Sequence, residues 1–153
     1  MFSEKWHRRF MEVATLVSSW SKDPSTKTGA IVVGPDREIR ATGYNGLVRG
    51  VDDNKPERME RPTKYDFFEH AERNAIYNAC LTGTSLKGCV IYVTHPPCTD
   101  CARAIIQSGI KMVVTFEMEK RDDITSPTWR DKLNYSQEMF KEAGIEYIEL
   151  PRK

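Results

Sequence analysis

The chain has 153 residues, 39% of them hydrophobic and 29% charged, and this balance predicts a single globular domain over residues 1–153. Its formal net charge of +1 argues against a protein that grips long nucleic acid through phosphates, which needs a basic surface. No run approaches the roughly 20 apolar residues of a membrane span, and MFSEKWHRRF lacks an apolar signal core, so we expect a cytoplasmic protein, or one made in a host's cytoplasm.

The N-terminal region is predicted to form a helix followed by a hairpin. Apolar side chains recur every three or four residues, which is typical of an amphipathic helix packed on a core. They are Phe2, Trp6, Phe10, Val13, Val17 and Trp20. His7 lies within this helix and is expected at its surface or boundary. Residues 29–33 and 39–44 then predict two antiparallel strands, with a turn at 34–37 between them.

The middle of the chain predicts a long loop and then a helix. Residues 48–65 are polar and rich in proline and charge, and loops of this length are usually functional or mobile. The following helix begins at His70 and ends near Gly83. Its inner face is expected to carry Ala75, Ile76, Ala79 and Cys80.

The second half alternates strands with helices. Strands are predicted at 89–94, 111–116 and 145–150, and helices at 98–108 and 134–143. Gly109 and Gly144 lie where each helix must turn left-handed before the next strand. Such alternation implies crossover connections, so the sequence predicts an α/β fold with a largely parallel sheet after the N-terminal hairpin.

Two cysteines lie at the start of a predicted helix. Pro96 and Pro97 end the preceding strand, and Cys98 and Cys101 then lie three residues apart on one helix face. This is the spacing of metal ligands, although an isolated CxxC also fits a redox pair. Both interpretations stay open on this motif alone.

A histidine at a second helix start favours the metal. His70, Cys98 and Cys101 supply three zinc ligands, whereas structural zinc sites usually have four and catalytic sites leave one position for water. Zinc lowers the pKa of such a water from ~15.7 to about 7. Glu72 is then placed to act as the acid and base. The pair H-x-E and P-C-x-x-C is the signature of zinc-dependent nucleobase deaminases.

Simpler interpretations exist for several of these residues. Glu72 alone would be an ordinary carboxylate favoured by the helix dipole, and Glu69 is either a solvated carboxylate or a group that orients a ligand. Cys80 and Cys89 are expected to be core thiols. His95 fits either substrate contact or solvent exposure.

Beyond the zinc signature, the sequence resembles the deoxycytidylate (dCMP) deaminases of the cytidine deaminase-like superfamily, from about Trp6 to Leu150. The similar segments are SKDPSTKTGAIVV at 21–33, GYNG at 43–46, HAERNAI at 70–76, CVIYVTHPPCTDCARAIIQSGIKMVV at 89–114 and AGIEYIEL at 143–150. The resemblance implies a three-layer αβα sandwich around a mixed five-stranded sheet.

The resemblance also implies a reaction, the hydrolysis of dCMP to dUMP and ammonia, which supplies thymidylate synthesis. Zinc would activate the attacking water, Glu72 would shuttle protons, and His70, Cys98 and Cys101 would hold the metal. The Ala71 N–H would bind the pyrimidine O2, and Asn45 would hold the sugar. The 5′-phosphate is assigned to the turn of Ser25, Thr26 and Lys27, with Lys27 as the charge partner.

Family members are often homo-oligomers, so we expect a hexamer, or else a dimer or tetramer. Many members are regulated by dCTP and dTTP with magnesium, and some hold a second zinc in the insertion before HAE. Residues 46–68 contain no cysteine or histidine, so one zinc per chain is expected.

Two other kinds of function remain. Deaminases of dCTP, 5-modified dCMP, free cytidine or cytosine, or adenosine in tRNA share the zinc signature. A non-catalytic zinc-binding module is the other class, but it would be expected to have a fourth protein ligand and no placed carboxylate.

Overall fold

A computed structural model describes residues 2–118 and 127–152. The α-helices are α1 (Glu4–Ser18), α2 (Lys64–Phe67), α3 (Ala71–Thr82), α4 (Thr99–Gln107) and α5 (Pro127–Glu142), with a 3₁₀ helix at Pro56–Met59. The strands are β1 (Gly29–Val33), β2 (Ile39–Tyr44), β3 (Gly46–Leu47), β4 (Phe68–Glu69), β5 (Val90–Val93), β6 (Met112–Phe116) and β7 (Glu146–Leu150).

Five strands form one mixed sheet in the order β2-β1-β5-β6-β7. The hairpin of β1 and β2 is antiparallel, as predicted, and β1 also pairs antiparallel with β5. The pairs β5–β6 and β6–β7 are parallel, which confirms the crossover connections expected from the alternating pattern. The remaining two strands, β3 and β4, pair with each other beside the main sheet.

Helices cover both faces of this sheet. Side chains of α1 pack with Ile31 and Val33 on one face, and those of α3, α4 and α5 pack with Ala30 and Val32 on the other. Strand β1 is therefore buried along its whole length, which explains its continuous apolar sequence. The predicted αβα sandwich is confirmed.

Two expectations for the N-terminal helix were wrong. His7 is buried rather than at the surface, and its Nδ1 lies 2.8 Å from the hydroxyl of Tyr92, a residue in the centre of the sheet. Each ring thus gives the other the polar partner that burial requires. Trp20 lies beyond the helix end at Ser18, is half-exposed, and contacts the ring of Tyr44 edge-on.

The prediction of a core position for Cys80 was wrong, and that for Cys89 is confirmed. Cys80 is exposed, because it follows Ala79, and one residue turns an α-helix by about 100° away from the buried face. Cys89 is fully buried, as expected of a core thiol. The segment predicted as a loop at 48–65 contains the 3₁₀ helix and the start of α2. Within the described ranges, no helix is long and apolar enough to cross a membrane.

Candidate metal centre and active site

The three predicted metal ligands converge at one end of the sheet. His70 is the N-cap of α3 and Cys98 is the N-cap of α4, while Cys101 lies in the first turn of α4. The Nδ1 atom of His70 lies 3.5 Å from the Cys98 sulfur and 3.3 Å from the Cys101 sulfur. One ligand atom from each residue lies within 4.8 Å of the other two.

These separations fit a zinc ion. Zinc–sulfur bonds of about 2.3 Å and zinc–nitrogen bonds of about 2.0–2.1 Å, at a tetrahedral angle, place nitrogen and sulfur about 3.6 Å apart. One imidazole nitrogen and two sulfurs form a donor set that zinc prefers. In the parts of the chain that the structure describes, this is the only cluster of at least three such ligands. It leaves the fourth position of a tetrahedral site for a non-protein ligand.

The protonation of the three ligands is coupled. A hydrogen bond from the Cys101 thiol, with a further contribution from His70, lowers the pKa of Cys98 to about 4. The same sulfur–sulfur hydrogen bond and burial raise the pKa of the Cys101 thiol. The hydrogen bond to Cys98 also raises the pKa of His70. Metal ligands must be deprotonated thiols and a neutral imidazole, so metal binding releases the protons that the cluster holds.

Glu72 lies beside this cluster in the first turn of α3, and its side chain is only 4% exposed. Burial is the main reason that its pKa is raised above that of an ordinary glutamate. A raised pKa makes this carboxylate a stronger base than that of an ordinary glutamate, which suits a group that accepts and then donates a proton.

The cluster forms part of the wall of a cavity of about 660 Å³. Three segments supply most of the remaining wall: the loop after α1, the chain from Arg61 to Arg73, and the loop from His95 to Asp100. Trp129 and Lys132 of α5 also line it. The cavity is large enough for a small molecule and has both aromatic and charged walls.

Three of the four predicted substrate-contact residues line the cavity, and the fourth does not. Thr26, Asn45 and Ala71 line the cavity with the metal ligands and Glu72. Lys27 is exposed and is not among the residues that line the cavity. The amide of Asn45 accepts from the Thr28 N–H at 2.8 Å and donates to the Thr26 carbonyl at 2.8 Å. Asn45 thus holds the loop after α1 in place.

Several charged residues of the cavity wall were not predicted as site residues, among them Arg61, Lys64, Lys132 and Asp23. Arg61 and Lys64 lie in or near the segment predicted as a loop, whose length was the one signal of a functional role. Lys132 enters from α5, more than 50 residues further along the chain. No local pattern indicates that these residues meet.

Glu69 and His95 were left with two interpretations each. The Glu69 carboxylate accepts from the His70 backbone N–H at 3.1 Å and pairs with Arg73, so it caps the start of the ligand-bearing helix. Arg73 also lies 3.7 Å from Asp100 of α4, which links the two ligand-bearing helices. His95 lines the cavity.

Comparison with known proteins agrees with this site. Residues 4–117 match the family model described as cytidine and deoxycytidylate deaminase zinc-binding region. An uncharacterized deaminase of Aliivibrio fischeri is 46% identical over 96% of this chain and 95% of its own length. The human deoxycytidylate deaminase is 36% identical over 94% of this chain and 78% of its own length.

A solved structure is also similar. The dCMP deaminase of the cyanophage S-TIM5, crystallised with dCMP and dUMP, is 26% identical and superposes with a TM-score of 0.76. The match covers 98% of this chain and 100% of the phage chain. With these matches the resemblance inferred from the motifs is confirmed, and the chain belongs to the cytidine and deoxycytidylate deaminase family.

Proposed function

We propose that this chain catalyses the zinc-dependent hydrolysis of dCMP to dUMP and ammonia, which provides dUMP for thymidylate synthesis. The observation that carries the proposal is the convergence of His70, Cys98 and Cys101 within 4.8 Å, next to the buried Glu72. The names of the relatives support dCMP as the substrate. A single catalytic domain over residues 1–153 is part of this proposal.

One zinc ion per chain is held by His70, Cys98 and Cys101 in this proposal. When bound, zinc lowers the pKa of water enough for it to act as a nucleophile near neutral pH. Water attacks C4 of the cytosine ring, and Glu72 accepts the proton that this water loses. Glu72 donates that proton to N3, then takes the proton of the new C4 hydroxyl and carries it to the amino group, which leaves as ammonia as the C4 carbonyl forms.

Backbone and side-chain groups near Glu72 orient the nucleotide. The N–H groups in the first turn of a helix have no acceptor within the helix, so Ala71 can donate to the pyrimidine O2. Asn45 contacts the deoxyribose and Thr26 contributes to the same contact, because both residues line the cavity.

Arg61 and Lys132 are the cations best placed for the 5′-phosphate. Both line the cavity, and neither forms an ion pair with another described residue. Lys64 and Arg73 also line it, but the carboxylates of Asp23, Glu69 and Asp100 neutralise their charges. Lys27, the residue first assigned to the phosphate, is less well placed because it lies outside the cavity wall.

The resemblance supports further proposals about assembly and regulation. We propose a cytoplasmic homo-oligomer, with a hexamer favoured over a dimer or tetramer. We also propose that dCTP and dTTP regulate it together with magnesium. Sedimentation with and without these nucleotides tests the assembly, and initial rates in their presence test the regulation.

The deciding experiment measures ammonia release and the absorbance change with dCMP, beside dCTP, 5-modified dCMP, deoxycytidine, cytidine, cytosine and a tRNA stem-loop. Turnover of dCMP in preference to the others, with one zinc per chain, is the expected result. Turnover of another substrate instead would assign the site to a different deaminase. Bound zinc and a folded protein without turnover of any of them would contradict the proposal and favour a zinc-binding module.

A further inference from the structure

A buried carboxylate organises the loop after α1. Asp23 is only 3% exposed, and its side chain accepts from the Ser25 N–H at 2.9 Å and the Thr26 N–H at 3.3 Å. It also accepts from the Ser25 hydroxyl at 2.9 Å and from the Asn45 amide at 3.2 Å. The orientation of this carboxylate therefore fixes the positions of Thr26 and Asn45 in the cavity wall.

The carboxylate is paired with a lysine from a distant segment. Lys64 lies 41 residues further along the chain, and its Nζ atom lies 3.0 Å and 2.9 Å from the two carboxylate oxygens of Asp23. The same ammonium group donates to the Ser25 hydroxyl at 2.9 Å and lies over the ring of Phe68. The two charged side chains are 8% and 3% exposed.

A second ion pair joins the same two regions but faces solvent. Lys22 lies 2.7 Å from Asp53, and their side chains are 66% and 35% exposed. Exposed ion pairs contribute little to stability, whereas removing one partner of a buried pair leaves an uncompensated buried charge and is destabilising. Loss of the buried Lys64–Asp23 pair is therefore expected to disturb the structure far more than loss of the exposed Lys22–Asp53 pair.

We propose that the Lys64–Asp23 ion pair is a positioning device that holds Thr26 and Asn45 in the geometry for nucleotide binding. This role for the ion pair rests on the function proposed above for this cavity. Lys64 acts through Asp23 and the loop, because both of its carboxylate contacts and its serine contact are within that loop. The pair sets the affinity for substrate, while Glu72 and the metal ligands carry the chemistry.

Steady-state kinetics with dCMP test this role through Lys64→Met, Asp23→Asn and the double variant Asp23→Asn/Lys64→Gln. The double variant leaves no unpaired charge, so it keeps the test open if a single variant fails to fold. Each is expected to raise KM about tenfold, equivalent to one lost hydrogen bond, and to change kcat less than about threefold. Lys22→Met is the matched control and is expected to leave both constants unchanged.

The pattern across variants separates positioning from direct contact. A positioning pair gives similar increases in KM for both single variants, and the double variant is no worse than either. Direct contact between Lys64 and the substrate would raise KM for Lys64→Met but not for Asp23→Asn. That result, or an unchanged KM in all three variants, would overturn the proposal.

Hydrogen exchange gives a readout that does not depend on turnover. The amide hydrogens of Ser25 and Thr26 are expected to exchange at least about tenfold faster in Lys64→Met than in the wild type or in Lys22→Met. Unchanged exchange would overturn the proposal. If the wild type fails to turn over dCMP, the proposed function fails, and the exchange rates still decide whether the pair orders the loop.

Discussion

Glu72 is a buried carboxyl at the start of a helix. It is almost fully buried, yet it lies at the start of a helix beside three groups that can bind a cation. Burial raises its pKa, and the adjacent His70 acts in the opposite direction. The charged form of this carboxyl is therefore less favoured than in water, which makes it a stronger base for proton transfer.

Replacement of this carboxyl tests its role as a proton carrier. Glu72→Gln keeps the size of the side chain and removes its proton exchange, so kcat for dCMP is expected to fall by about 10²–10⁴-fold. Zinc content and the unfolding midpoint should stay close to wild type, because Glu72 is not a ligand. Activity within tenfold of wild type in this variant would show that another group moves the protons.

The phosphate contact is a second prediction at this scale. Arg61→Gln is expected to raise KM for dCMP about 10- to 100-fold, the equivalent of about 1.5–3 kcal/mol for a charge-assisted hydrogen bond. Lys27→Gln is the matched control, because Lys27 lies outside the cavity wall and should leave KM nearly unchanged. A raised KM in Lys27→Gln with an unchanged KM in Arg61→Gln would instead assign the phosphate contact to the turn at 25–27.

At the scale of the elements, α3 is held on the edge strand β2. The side-chain amides of Asn74 and Asn78 donate to the carbonyls of Tyr44 and Thr42 at 2.8 Å and 2.7 Å. Gly43 lets the helix approach, since a Cβ there would lie 2.3 Å from the Ala75 nitrogen. The same contact fixes the position of the start of α3 relative to the sheet, where the metal ligand His70 and Glu72 lie.

A single methyl group tests this packing. Gly43→Ala forces α3 away from β2, so the free energy of unfolding is expected to fall by about 1–3 kcal/mol, as overpacked cores do. Zinc should also bind more weakly, because the shift moves one ligand relative to the two on α4. Gly46→Ala is the matched control, since a Cβ there meets no atom within 4 Å. Equal stability in both variants, measured by denaturant unfolding, would contradict the close approach.

Across the whole molecule, the sequence predicted what short-range patterns determine. The five strands of the main sheet, the crossovers and the two helix starts that carry His70 and Cys98 follow from periodicity, glycine and proline. The partners of His7 and Lys64 do not, because Tyr92 and Asp23 lie 85 and 41 residues away along the chain. Only the folded sheet brings such pairs together, so the burial of these two ionisable side chains could not be predicted from the local sequence.

The burial of His7 predicts a dependence of stability on pH. Burial lowers the pKa of His7 below its usual 6.5, so the unfolded chain binds a proton at a higher pH than the folded one. Its contribution to stability is complete above pH 6.5 and is lost as the pH falls through the lower, folded pKa. Urea unfolding at pH 7.5 and 5.5 is expected to show a larger loss in the wild type than in His7→Asn. An equal loss in both would assign the effect to other groups.

The division of the metal ligands between two helices has a consequence for how the chain folds. His70 and Cys98 are 28 residues apart, and α3, β5 and the turn between them occupy the intervening chain. A metal held by both residues would therefore close a loop around a strand in the centre of the sheet, as a covalent cross-link does, and would restrict the unfolded chain if it bound there. Because α3 and α4 begin at His70 and Cys98 and pack in one core cluster with β5, a metal held by both residues would tie the two helices to each other and to the central strand.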